Sequence, residues 1–166
     1  MSSQSKVCVY GKAQNRTALG IANAYIKVYP DATVTDLNNA FPSHLNSGRS
    51  NKDFPEIFAV KSQQAIDSGA FITDEPIATN DGKEVLIKAL WTKDDFEKFA
   101  EHAKQYGIEV NECEETKKGV KGSYELKYLN NFVPPAPKAK SNKMIFAIAG
   151  GIILLILLIV LLFVDK

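Results

Sequence analysis

The sequence predicts an α/β domain followed by one C-terminal transmembrane helix, and three observations predict it. A β-forming stretch at Lys6 to Tyr10 runs into a helical repeat of Ala18, Ile21, Ala22, Tyr25 and Tyr29. A second unit, from residue 71, alternates strand patterns with a capped amphipathic helix. Finally, Met144 to Val164, MIFAIAGGIILLILLIVLLFV, is an uncharged run of about 21 residues that as a helix reaches about 31 Å, the thickness of a bilayer's hydrocarbon core.

Lys6 to Tyr10 reads as the first strand, left by Gly11 and Lys12, and the following helix is capped by Asn15 or Thr17 and stopped by Pro30. Ala32 to Asp36, ATVTD, reads as a second strand, and strand, helix and strand with short links favour a parallel pair with a right-handed crossover. Leu37 to Asp53 is polar and glycine-containing, with a short helix around Asn38 to Leu45 that Pro42 opposes. Phe54 to Val60 is a third strand opened by Pro55, and Lys61 to Ala70 supplies a turn and a short strand.

Pro76 to Thr79 and Glu84 to Leu90 flank an Asp81-Gly82 hairpin signal. Thr92 then caps a helix, with Asp95 at the capping-box position and Trp91 and Phe96 at the staple positions. Phe96, Phe99, Ala100, Ala103 and Tyr106 form its apolar stripe and Gly107 ends it. Ile108 to Glu115 and Ser123 to Leu129 are two more strands around a Lys/Gly-rich turn. The organisation is therefore a globular domain over 1–130, in parts 1–70 and 71–130 (ββαββ), a Pro/Lys-rich linker over 131–143 and the span 144–164.

Sixteen Leu, Ile, Val and Phe residues in the span, Leu155 and Val164 among them, contribute together about −5 to −10 kcal/mol to insertion. Met144, Gly151, Leu155 and Val164 mark the membrane anchor. The N-terminal residues hold no apolar run longer than Val7-Cys8-Val9-Tyr10, so no secretory signal is read and the span is expected to insert after translation, as a tail anchor. Membrane-proximal Lys138, Lys140 and Lys143 place the domain on the cytosolic side, or the shell side of a virus particle, and add a weak attraction to anionic lipid. Ala147 and Gly151 have the spacing that lets two helices pair, a self-association with weak support. Asn15-Arg16-Thr17 is a sequon by chance on that side.

Charge narrows the partners. Lys and Arg number 20 against 19 Asp and Glu, a net +1 that gives no attraction to polyanions, so no nucleic-acid partner is expected. Cys8 and Cys113 lack CxxC or zinc-ligand spacing and read as reduced thiols. The histidines, His44 and His102, read as a loop residue and a solvated helix residue. Gly119 to Gly122 is not a phosphate-binding loop, and Glu109, Glu112, Glu114 and Glu115 read as a solvated strand edge rather than a calcium loop. No cofactor, metal site or catalytic set is expected.

Val7-Cys8-Val9-Tyr10-Gly11 and Phe54-Pro55-Glu56-Ile57-Phe58 carry one resemblance. The order strand, turn, helix, strand and proline-led strand over residues 5–70 resembles a glutaredoxin or, more widely, a thioredoxin-like domain. The resemblance implies a thioredoxin-like mixed sheet with an added helix and hairpins, with Pro55 as the family's cis-proline. The family's cysteine pair would open the first helix, where this chain has Ala13-Gln14-Asn15-Arg16, so the redox reaction does not carry over. Two functions follow as expectations. The first is a tail-anchored single-pass membrane protein whose domain is a non-enzymatic binding or structural module, a cellular adaptor or a virus-particle membrane component, with the lipid bilayer and a protein as partners. The alternative is a membrane-tethered glutaredoxin-like thiol enzyme using Cys8.

Overall fold

The computed structural model describes residues 4–47, 52–112 and 124–137. In chain order the elements are β1 (Val7–Gly11), α1 (Gln14–Val28), α2 (Val34–Ala40), a 3-10 turn (Ser43–Asn46), β2 (Phe58–Val60), α3 (Gln63–Asp67), β3 (Ile77–Ala78), β4 (Glu84–Ile87), α4 (Lys93–Ala103), β5 (Ile108–Glu112) and β6 (Tyr124–Tyr128). The strands form two sheets. In the first, β1 lies between β5, parallel in register Val7 with Ile108, and β6, antiparallel in register Val7 with Tyr128. In the second, β4 lies between β2 and β3, both antiparallel to it.

Alternation along β1 and the apolar stripe of α1 explain how the first sheet is covered. Val7 and Val9 join Ala18, Leu19, Ile21, Ala22 and Tyr25 of α1 in the main core. That core also takes Phe58, Ile77, Val85 and Ile87 from the second sheet and Phe99 and Ala103 from α4, so one core serves both sheets. Leu86 points the other way and meets Ala65 of α3 and Phe71 in a smaller cluster. Two glycines allow the close approach of α1 and β1. A Cβ on Gly11 would stand 2.0 Å from Thr17 Oγ1, and one on Gly20 would stand 2.6 Å from Val9 Cγ1 and 2.8 Å from the Tyr124 ring.

The expected fold, a thioredoxin-like mixed sheet with an added helix and hairpins plus one C-terminal transmembrane helix, is corrected. The described strands form two three-stranded sheets, and among the described residues no helix is long and apolar enough to cross a membrane. The segment 144–164, on which the span was expected, lies outside the described residues.

Local corrections have local causes. Residues 32–36 are not a strand: Thr33 is the N-cap of α2, its hydroxyl accepting from Asp36 N–H at 3.3 Å while the Asp36 carboxylate accepts from Thr33 N–H at 2.8 Å. A reciprocal capping box satisfies two helix donors at once and outweighs a five-residue alternation. The parallel neighbour of β1 is consequently β5. The third strand shortens to Phe58–Val60, and no described peptide bond is cis, so Pro55 is not a cis-proline. Lys61 to Ala70 holds α3, capped by Ser62, whose hydroxyl accepts from Ala65 N–H at 3.2 Å. Ala13, rather than Asn15 or Thr17, is the N-cap of α1, and Thr17 donates to the Ala13 carbonyl at 2.9 Å. The two last strands do not pair with each other, because β1 lies between them.

Candidate functional site

An open concavity among the described residues runs beside α4. That helix starts at Thr92, whose hydroxyl accepts from Asp95 N–H at 3.1 Å, and its 3-10 extension ends at Gly107 in the left-handed region, φ 74°. Phe99 and Ala103 enter the core, and Trp91 lies on Phe99 with ring centroids 4.7 Å apart. Phe96 and Ala100, one step round the helix, are only half-buried. With Leu45 from the 3-10 turn and Val110 from β5 they give an open groove of about 840 Å³ an apolar floor.

The rim is polar and balanced. Glu97 and Glu101 alternate along it with Lys98 and Lys104, and ion pairs join Lys93 to Glu97 at 3.8 Å and Lys104 to Glu101 at 2.5 Å. Such exposed pairs contribute little energy and leave the rim near neutral. His44 and His102, far apart in sequence, line this same groove. His102 is not on a fully solvated face: its Nε2 donates to the Ala40 carbonyl at 2.8 Å and its ring lies 5.9 Å from Phe41. Among the described residues no group of three or more His, Cys, Asp or Glu could hold a metal ion.

The region where the resemblance would put an active site is built differently. At the start of α1, Arg16 pairs with Asp74 at 2.5 Å and Glu75 at 3.6 Å. The Arg16 hydrogen bond holds the Asp74 carboxyl below its ordinary range. Tyr124 donates to Glu75 at 2.8 Å and accepts from the Asn23 amide at 2.7 Å, and burial, reinforced by Glu75, pushes its phenol well above its ordinary value. This network ties α1 to β6 and to the strand-entry segment 70–76. Cys8 is 1% exposed in mid-strand, with the Asn111 amide donating to its sulfur at 3.1 Å. A nucleophilic thiol needs access and a lowered pKa, usually from a helix N-terminus or a cation. The Pro55 carbonyl accepts from Lys88 Nζ at 3.1 Å. Lys88 is 3% exposed, and burial lowers its pKa against the opposing pull of Glu56 and Asp95.

Glu109 lies on the edge strand β5 and accepts from the Ser5 hydroxyl. Cys113, Glu114, Glu115, Gly119 to Gly122, Lys138, Lys140, Lys143, Met144, Ala147, Gly151, Leu155 and Val164 lie outside the described residues. Sequence reasoning placed Phe96 and Ala100 in a buried stripe and missed the groove, since nothing local shows that the turn after Pro42 packs against α4. Comparison of the chain with protein-family models, curated proteins and solved structures finds no match.

Proposed function

We propose that this chain is a membrane-attached binding module, held to a bilayer through the apolar segment 144–164 and receiving an apolar segment of a partner protein in the groove beside α4. The observation that supports the groove's role is its composition: Phe96, Ala100, Leu45 and Val110 form an apolar floor inside a charge-balanced rim. An apolar floor rewards burial of an apolar partner surface, and a balanced rim offers no attraction to a polyanion. The apolar segment and Lys138, Lys140 and Lys143 before it support attachment, with the domain on the lysine-bearing side. In this reading the protein works without chemistry, as an adaptor or as a tie between a shell and its membrane.

A photo-crosslinking amino acid at position 100, in the full chain in its native membrane, should capture one discrete protein. The same probe at Gln64, on exposed α3, should not. Phe96→Glu should abolish the capture while leaving thermal unfolding within a few degrees, because Phe96 is only half-buried. Equal capture from both positions, or capture that survives Phe96→Glu, would exclude the groove.

A further inference from the structure

A second surface lies where the chain leaves the domain. Tyr29, Tyr128 and Val133 are 38%, 46% and 80% exposed, three of the large apolar or aromatic side chains left in solvent. Tyr29 and Tyr128 belong to one patch with Phe132, and Val133 follows Phe132 in the chain. The Lys6 ammonium lies 5.7 Å from the Tyr29 ring centre and 5.8 Å from that of Phe132, and Phe132 lies 6.3 Å from Tyr128. The patch is built rather than trailing. After β6, Asn130 and Asn131 take left-handed backbone angles, φ 52° and 56°, and turn the chain so that Phe132 N–H donates to the Leu129 carbonyl at 2.8 Å. Leu129 N–H donates to Lys6 O at 2.8 Å and Asn130 Nδ2 to Ser5 O at 2.8 Å, which fix this turn to the start of β1.

We infer that this patch is a lipid-contacting surface, seated in the headgroup layer of the bilayer that takes the segment 144–164. Three features agree on this occupant. Exposed tyrosine rings, here Tyr29 and Tyr128 beside Lys6, are side chains that partition to a membrane interface, where one end is apolar and the other wet. The patch sits at the point where the chain leaves toward the apolar segment. Ten residues, 134–143, separate Val133 from Met144, so even fully extended they keep Val133 within about 40 Å of that segment. The inference rests on the membrane attachment proposed above and sets the domain's orientation, with Tyr29 and Tyr128 toward lipid.

The test uses the full chain in phosphatidylcholine vesicles carrying either an acyl-chain or a headgroup photoreactive lipid. The acyl probe should label 144–164, and the headgroup probe should label Tyr29 and residues 128–133 several-fold more than Gln63–Asp67, which packs on the second sheet. Tyr128→Glu with Val133→Glu should bring the patch down to the α3 level, whereas a control Gln64→Glu should change nothing. Acyl labelling of 144–164 with headgroup labelling of the patch no higher than α3 overturns this inference and leaves membrane attachment standing. Absence of acyl labelling removes the attachment and this inference with it. Patch labelling that falls as protein per vesicle rises would show a second copy on this surface and also overturns the lipid assignment.

Discussion

Asn38 of α2 binds Phe58 of β2 as a neighbouring strand would. Its Nδ2 donates to the Phe58 carbonyl at 3.1 Å, and its Oδ1 accepts from Phe58 N–H at 3.1 Å. β2 is an edge strand with its ladder filled by β4 on one side only, and the amide supplies a matching donor and acceptor at its most buried residue, Phe58, 1% exposed.

Asn38→Leu keeps the side-chain volume and removes both bonds. Two largely buried backbone groups then lose their partners, an expected cost of about 1–3 kcal/mol. The urea midpoint in detergent should fall with an unchanged slope. An unchanged midpoint would mean that water satisfies this edge.

Gly20→Ala should destabilise although alanine is the better helix former by about 1 kcal/mol. The new methyl would stand 2.6 Å from Val9 Cγ1 and 2.8 Å from the Tyr124 ring, and neither neighbour is a free chain end. Overpacking of this kind costs about 1–3 kcal/mol. Gly69→Ala is the useful contrast: it has open space around it but φ +64°, so it should lose about 1–2 kcal/mol from backbone strain alone. Thermal melts of the two proteins test both, and a stabilised Gly20→Ala would show that α1 can move off β1.

Burial, with Tyr106 and Tyr29 close by, pushes the Tyr25 phenol from 10.0 up to about 12. A raised phenol holds its proton more firmly in the folded chain than in the unfolded one. Its contribution is whole below the unfolded value and disappears as pH rises through the folded one. The stability of the natural protein relative to Tyr25→Phe should therefore fall between pH 10 and about 12. Urea midpoints of the pair across that range check the sign; Lys88, titrating in both proteins, cancels in the difference. A constant difference would mean that Tyr25 ionises as freely in the fold as in water.

Asn131 sits at φ 56°, where asparagine is tolerated and a β-branched residue is strained. Asn131→Val should speed hydrogen exchange at the Phe132 amide, which donates across this turn, while Asn131→Gly should leave it slow. Equal rates in the two variants would show that the contacts of Phe132, not the turn, hold this segment.

Elements with strong local signals were legible. The Thr92 cap, the Gly107 stop and the Asp81-Gly82 turn, with Gly82 at φ 82°, are all present as expected. Where two local signals compete, the stronger decides: alternation in ATVTD predicts a strand, but Thr33 and Asp36, three residues apart, close a capping box. What could not be read was long-range. The insertion of β1 between β5 and β6, the Asn38 amide on Phe58 and the placing of His44 and His102 on one groove depend on packing across tens of residues, for which no single stretch carries a signal. The groove belongs to that class.

The position of β1 also sets a timetable. Its two partners lie about a hundred residues downstream, at Ile108 and Tyr128, and synthesis proceeds from the N-terminus. Until β5 and β6 emerge, Val7–Gly11 has both edges open and α1 has only part of its covering sheet. The domain therefore cannot settle piece by piece; it closes late, in a step slowed by distant pairing. A chain cut before Tyr124 would leave β1 with a vacant edge, and loss of the last strand should produce an aggregating protein rather than a smaller stable one.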